Sequence, residues 1–203
     1  MIPETCYRDE ICLLECVEFP SRWEKSAVLL KGIHAVDTTV FLKDGNCYCF
    51  IYSFNAKDSS DRKLFIGNLD WEAKTISKMQ MVAHYHNSNG RPGGNCFIKN
   101  NEWIRVVQPG IRFYGERIDY YHFSYSDGNY TEELVSSLDP TQIKVKGVRQ
   151  IDGIHTYNKV DCYEIIDVRI NRFDLFKPFK WLFRKLKLFG YDNGDKRKGF
   201  YFI

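Results

Sequence analysis

Six side chains that could do chemistry are spread along this sequence in similar settings. They are Glu4 in "MIPE", Asp37 before "TTVFL", Arg91 in "GRPGG", Gln108 in "VQPG", Tyr114 in "FYG" and His155 in "GIHTYN". Each stands beside a Gly or Pro that bends the backbone, or at the start of an apolar run. Two carboxylates can hydrolyse a glycosidic bond with inversion when held roughly 6.5–9.5 Å apart, one protonating the leaving oxygen and the other activating water. Glu4 and Asp37 are the candidate catalytic pair, with His155 as a further acid–base group. Arg91 could hold a phosphate or sugar carboxylate through two parallel bonds, or it could form a salt bridge between sheets. Gln108 and Tyr114 are candidate ligand contacts, Tyr114 either stacking on a pyranose or packing over a channel. Gly93 and Gly94 form a tight turn where backbone can approach a ligand or an axis closely. Plainer roles remain open: Asp37 capping a strand start by bonding the Thr39 backbone, and His155 as a satisfied core histidine. Glu4 lies near the terminus, where fraying could remove it from any site. His84 and His86 alternate in "AHYHN" with no carboxylate or cysteine neighbour in sequence, so no metal is expected, and no cofactor motif is present.

Residues so far apart need elements that return to one place. Period-two apolar segments dominate to about residue 170: "EICLLECV", "SAVLLK", "TTVFLK", "NCYCFIY", "KLFIGNL", "NCFIK", "EWIRVV", "RIDYYHF" and "CYEIIDVRI". Polar turn signals such as "KDGN", "NSNGRPGG", "KNNE" and "SDGN" separate them. "DTTVFLKDGNCYCFIYS" matches "PGGNCFIKNNEWIRVVQ" at an offset of about 56 residues, and "HTYNKVDCYEIIDV" is a fainter third copy. Four antiparallel strands recurring at that period predict propeller blades. The fold class expected is therefore all-β, an incomplete β-propeller of about three to four four-stranded blades over residues 1–170. In a propeller the first strand of each blade lines the axis and the second returns to the same rim. Glu4, Asp37, Arg91, Gln108 and His155 are then expected at one mouth.

From Leu175 to Tyr191 the pattern changes. Lys177, Lys180, Arg184, Lys185 and Lys187 accompany Phe179, Leu182, Phe183, Leu186 and Phe189 at helical spacing. A basic amphipathic helix is expected there, within a tail of residues 171–203 that ends in a short strand, "GFYFI". Such a helix either packs on the sheets or lies on an anionic membrane face. The net charge of +3 and the sequence pI near 8.4 are too mild for a nucleic-acid partner. Seven cysteines without zinc-type spacing point to free thiols in a reducing compartment. "MIPETCYRDE" lacks the apolar core of a signal peptide, and no stretch is long enough to span a bilayer. A cytoplasmic protein is expected, peripheral to the inner membrane face if the helix binds lipid.

"LLECVEFPSRWEKSAVLLKGIHAVDTTVFLKDGNCYCF", "GRPGGNCF", "RVVQPGIRFYGERI" and "GIHTYN", in that order, resemble the N-terminal domain of glucosamine inositolphosphorylceramide transferase. The resemblance implies a five-bladed propeller similar to glycoside hydrolase family 43. "MIPE" resembles a motif midway along that domain, so about a blade and a half is expected to be missing before it. Asp37, Arg91, Gln108, Tyr114 and His155 match family motif positions, Glu4 matches a Pro-Glu corner, and Gly93 and Gly94 match a tight turn. Asp-Pro-Thr is more usual where Asp37-Thr38-Thr39 stands here. Relatives of the domain occur beside formyltransferase-like and surface-polysaccharide genes. The expected function is thus sugar or sugar-phosphate binding at the channel mouth, in surface glycan or glycolipid biosynthesis. The ligand would be a sugar, nucleotide-sugar or glycolipid, and a transferase or formyltransferase would be the partner. The alternatives are a glycosidase- or glycosyltransferase-like enzyme using Asp37 and Glu4, and a non-catalytic scaffold that docks a transferase.

Overall fold

Alternating apolar and polar residues, cut by two-residue polar turns, give strands and almost nothing else. The computed structural model describes residues 1–55, 58–85 and 90–170. Its strands are β1 (Glu10–Glu18), β2 (Arg22–Lys31), β3 (Ala35–Lys43), β4 (Asn46–Asn55), β5 (Asp58–Asp70), β6 (Thr75–Tyr85), β7 (Phe97–Lys99), β8 (Glu102–Val107), β9 (Ile118–Ser126), β10 (Asn129–Leu138), β11 (Gly153–Val160) and β12 (Tyr163–Arg169). Two short 3-10 turns, Cys6–Arg8 and Pro140–Gln142, are the helical pieces among the described residues. Every strand pairs antiparallel with its sequence neighbour, giving two four-stranded sheets, β3–β4–β5–β6 and β7–β8–β9–β10, and two hairpins, β1–β2 and β11–β12. The helix expected from Leu175 to Tyr191, and the strand after it, lie outside the described residues.

The repeat reappears in the turns. Asp44 and Gly45 between β3 and β4 have φ of 50° and 75°, and Asn100 and Asn101 between β7 and β8 have 52° and 67°. Two successive residues with positive φ make the turn whose twist matches antiparallel strands, and Asp, Asn and Gly tolerate that geometry best. Asp127 and Gly128 do the same between β9 and β10, at 51° and 79°.

Each sheet packs against the next along the chain. Ile11, Leu13 and Leu29 of the first hairpin meet Cys49, Ile51, Leu69 and Ile76 of the first four-stranded sheet. Phe41, Phe50, Leu64 and Ile66 on the opposite face of that sheet meet Phe123, with Trp103 and Tyr130 against them. Val106 and Ile118 of the second sheet meet Ile154 and Tyr157 of the last hairpin. Strand β4 is therefore buried on both faces, Cys49 and Ile51 to one side and Phe50 and Tyr52 to the other. That explains why "NCYCFIY" reads as a continuous apolar run rather than as an alternation. Cys47 packs on the same side as Cys49, and burial pushes the Cys49 thiol up to about 12.

One polar group is set into the middle of this apolar stack. Arg105 of β8 is 1% exposed. It donates from Nε to Glu132 Oε2 at 3.0 Å, from Nη2 to the same oxygen, from Nη1 to the Gly90 carbonyl at 2.8 Å, and to the Tyr85 hydroxyl at 3.3 Å. Tyr85 and Tyr130 donate to Glu132 at 2.7 and 2.6 Å. The guanidinium also lies 5.5 Å from the centres of the Phe50 and Tyr121 rings. Burial pushes the Glu132 carboxyl up, but Arg105 and the two phenols outweigh it and hold it below its ordinary value of 4.5. A depressed carboxyl contributes stability that is complete above its unfolded pKa and is lost as pH falls through the folded value. Removing one partner of such a pair leaves a buried charge unmatched, at about 3–5 kcal/mol. Glu132→Ala should lower urea stability by that amount at neutral pH. Glu132→Gln should flatten the loss of stability that the wild type shows as pH falls from the ordinary carboxylate range.

Candidate functional site

The pairing between β7 and β8 resumes in the segment before β7, toward Arg91. Gly93 N donates to Val106 O and Gln108 N to Arg91 O, both at 2.9 Å, with a bridge between Pro92 and Val107. Arg91 and Gln108 thus face each other across the open end of one hairpin. Their side chains converge on Asp37 of β3. Arg91 Nε and Gln108 Nε2 both donate to Asp37 Oδ2, the latter at 3.2 Å, and Gln108 Nε2 also reaches the Pro92 carbonyl at 2.7 Å. Arg91 Nη2 reaches Glu4 Oε2 at 3.3 Å.

Breaks in strand register aim the other groups. Asp37 sits where the β3–β4 pairing jumps between Val36 and Thr39, in the left-handed region at φ 49°. His155 and Thr156 sit at the matching jump of β11–β12, between Ile154 and Tyr157. Such irregularities re-aim side chains and free backbone amides. At β11 the freed amides are taken by Asp167 of β12, whose Oδ1 accepts from His155 N at 2.9 Å and from Thr156 N. Asp167 Oδ2 lies 3.2 Å from His155 Nδ1, and His155 Nε2 meets the Tyr114 hydroxyl. The Tyr114 and His155 rings are 4.3 Å apart at a tilt of 34°.

Tyr114 comes from the loop after Gln108, which two groups pin. Glu116 is 1% exposed and accepts from the amides of Ile111 at 2.9 Å and Arg112 at 3.3 Å, and from Arg112 Nε at 2.9 Å. Burial pushes its carboxyl up, and these bonds outweigh that and hold it below the usual range. Arg169 Nη1 donates to the Tyr114 carbonyl at 3.0 Å. Burial pushes the Tyr114 phenol up; Asp37, Asp167 and Glu4 add to the rise, and Arg91 opposes it. The phenol therefore feels every charge in the cluster.

Gly93 and Gly94 seat β11 against the second sheet. Tyr157 N donates to Gly93 O at 2.8 Å. Gly94 has φ 155°, and a Cβ there would lie 1.7 Å from Tyr157 O. Asn95 completes the seam by imitating backbone: its Nδ2 donates to Lys159 O at 2.7 Å and its Oδ1 accepts from Lys159 N at 2.8 Å.

Beside the cluster runs a cleft of about 360 Å³, lined by residues of β3, β11 and the segment leading to β7. Glu4, Asp37 and Thr156 belong to its wall, as do Gly93, Gly94, Asn95 and Asn158; Arg91, Gln108, Tyr114 and His155 do not. Arg91 and Gln108 brace the wall through Asp37, and His155, which adjoins Thr156 of the wall, carries Tyr114 beside it. Asp37 does not cap Thr39 in the way anticipated: the Thr39 hydroxyl donates to the Asp37 carbonyl at 3.0 Å, leaving the carboxylate to Arg91 and Gln108. The salt bridge open to Arg91 is present, joining the segment before β7 to β3 and Glu4. His84 lies 3.1 Å from Asp61, His86 falls outside the described residues, and no group of three metal-ligating side chains occurs among the described residues. Sequence reasoning missed Asp167, Glu116 and Asn95. Only Asp167 left a trace, as an acid interrupting the apolar run "YEIIDV".

The family model for the glucosamine inositolphosphorylceramide transferase 1 N-terminal domain matches residues 1–169. The chain belongs to that family. No curated protein matches it. The span matched to the transferase N-terminal family runs through all of β1 to β12 and holds every residue of the cluster. Among the described residues no helix is long and apolar enough to cross a membrane.

Because Asp and Asn tolerate the left-handed region better than most side chains, Asp37→Asn should stay within about 1 kcal/mol of wild type. Asp37→Val should lose a further ~1–2 kcal/mol for the backbone alone. Urea denaturation of both variants measures the difference.

Proposed function

We propose that the sheets are successive blades of a β-propeller and that their shared mouth binds a sugar unit of a surface glycan or glycolipid. The propeller reading is supported by the strand order, by cores lying between consecutive sheets, and by hairpins that close on the same turn about 56 residues apart. The observation that carries the function is the junction of three repeats at one cleft. Asp37 from β3, Gly93 to Asn95 before β7, and Thr156 and Asn158 from β11 line a single wall.

The chemistry of that wall suits sugar hydroxyls. Carboxylates, amides and threonine hydroxyls offer donors and acceptors at fixed positions, and Tyr114 stands 53% exposed at the rim as a ring for the apolar face of a pyranose. Two carboxylates, Glu4 and Asp37, pair with the Arg91 guanidinium, and a third, Asp167, pairs with His155. That excess favours an uncharged sugar over a phosphate. It also favours binding over hydrolysis by a Glu4–Asp37 pair, because one arginine orients both carboxylates as acceptors. Membership of a transferase's N-terminal family supports a role beside glycosyl transfer, holding donor or acceptor for a catalytic partner.

Saturation-transfer NMR against a panel of neutral monosaccharides and their phosphates tests this. Wild type should bind at least one neutral sugar at millimolar concentration. The Asp37→Asn, Gln108→Ala double variant should keep a dispersed spectrum and lose the signal. A wild type that binds no neutral sugar would overturn the reading.

A further inference from the structure

The rim contains one carboxylate that its motifs do not announce, Asp167 on β12. A carboxylate only accepts hydrogen bonds, so His155 Nδ1, 3.2 Å from Asp167 Oδ2, carries its proton. In a neutral imidazole the other nitrogen is then a lone pair, and His155 Nε2 accepts the proton of the Tyr114 hydroxyl. With its hydrogen turned inward, the phenolic oxygen has only lone pairs to show a ligand. We propose that Asp167 is a positioning residue of the rim: acting through His155, it presents Tyr114 as a hydrogen-bond acceptor, so that the site selects sugars with free hydroxyl donors over phosphorylated ones. This rests on the sugar-binding reading and specifies its ligand class.

Three features support the assignment. Asp167 is fixed independently of the imidazole, because its Oδ1 accepts the amides of His155 and Thr156 released by the register break. Burial pushes its carboxyl up, but the bonds from His155 and Thr156 outweigh it and hold the group below its ordinary value, where it only accepts. Within the cluster the carboxylates of Glu4, Asp37 and Asp167 outnumber the Arg91 guanidinium, which Glu4 and Asp37 already engage, so the cluster does not attract an anion.

Asp167→Asn is a sharp probe. Its carboxamide oxygen can still accept the two amides, but its NH2 must donate to Nδ1 and drive His155 into the opposite tautomer. Long-range proton–nitrogen correlation spectra of histidine-labelled, ligand-free protein at neutral pH read the tautomer directly. Wild type and Tyr114→Phe should show His155 protonated on Nδ1, and Asp167→Asn should show it protonated on Nε2. An Nε2–H tautomer in the wild type, or no change in Asp167→Asn, overturns the assignment; should Asp167→Asn fail to fold, the wild-type spectrum decides alone. Glucose and glucose 1-phosphate then test selectivity, with glucose expected to bind about tenfold tighter, the scale of one good hydrogen bond. A preference for the phosphate overturns the selectivity. If neither binds, the sugar reading and the selectivity fall together, while the tautomer stands or falls on the first spectrum.

Discussion

A single buried guanidinium fixes how the two four-stranded sheets meet and, with them, where the cleft forms. Arg105 reaches Glu132 on β10, Tyr85 at the end of β6 and the carbonyl of Gly90, with Phe50 and Tyr121 rings within cation–π distance. Desolvating an arginine is costly, and only a full set of partners offsets that cost. Here the partners come from both sheets and from the connection between them, so the sheets cannot shift without stranding a charge. Gly90 directly precedes Arg91. The bond that satisfies Arg105 therefore also sets the backbone from which Arg91 extends to Asp37 and Glu4.

The cluster itself depends on departures from regular pairing. In an unbroken ladder Asp37 and His155 would follow the alternation of their strands, and the amides around them would be spent on neighbours. The jumps in β3–β4 and β11–β12 release both constraints, and the cluster is built from what is released. The two breaks also differ in their chemistry. At β3 the residue with positive φ is itself the carboxylate, whereas at β11 the carboxylate comes from the partner strand and holds the break open from outside. Repeats of similar sequence thus contribute an acceptor in one case and an oriented imidazole in the other.

How far the sequence carried depended on the kind of signal. The hairpins around Asp44-Gly45 and Asn100-Asn101 were legible because positive-φ turns admit few residue types and the flanking strands are apolar. Glu4, Asp37, Arg91, Gln108, Tyr114 and His155 drew notice because each adjoins a bending residue or a strand start, and the structure joins the first four through Arg91 and Asp37 and the last two to each other. Strand β10 escaped: "NYTEELVSSL" is polar and largely exposed, and an outer strand needs little apolar alternation. Asn95 could not be read either, since nothing local marks an amide that pairs like backbone with Lys159. Asp167 stayed hidden because its importance lies in facing His155 across a register break, which is a property of pairing rather than of composition.

The double burial of β4 makes sequence distance a poor guide to energetic distance in this chain. Cys49 and Ile51 belong to one core while Phe50 and Tyr52 belong to another. Neighbours along the strand therefore answer to different sets of atoms, Ile51 to one core and Phe50 to the other, and share only the backbone between them. Phe50 and Phe123, distant in the chain but with ring centres 5.2 Å apart, must instead change size in concert. A slip of one residue in β4 would exchange the occupants of both cores at once, which gives this strand a stronger hold on its alignment than any strand covered on one side.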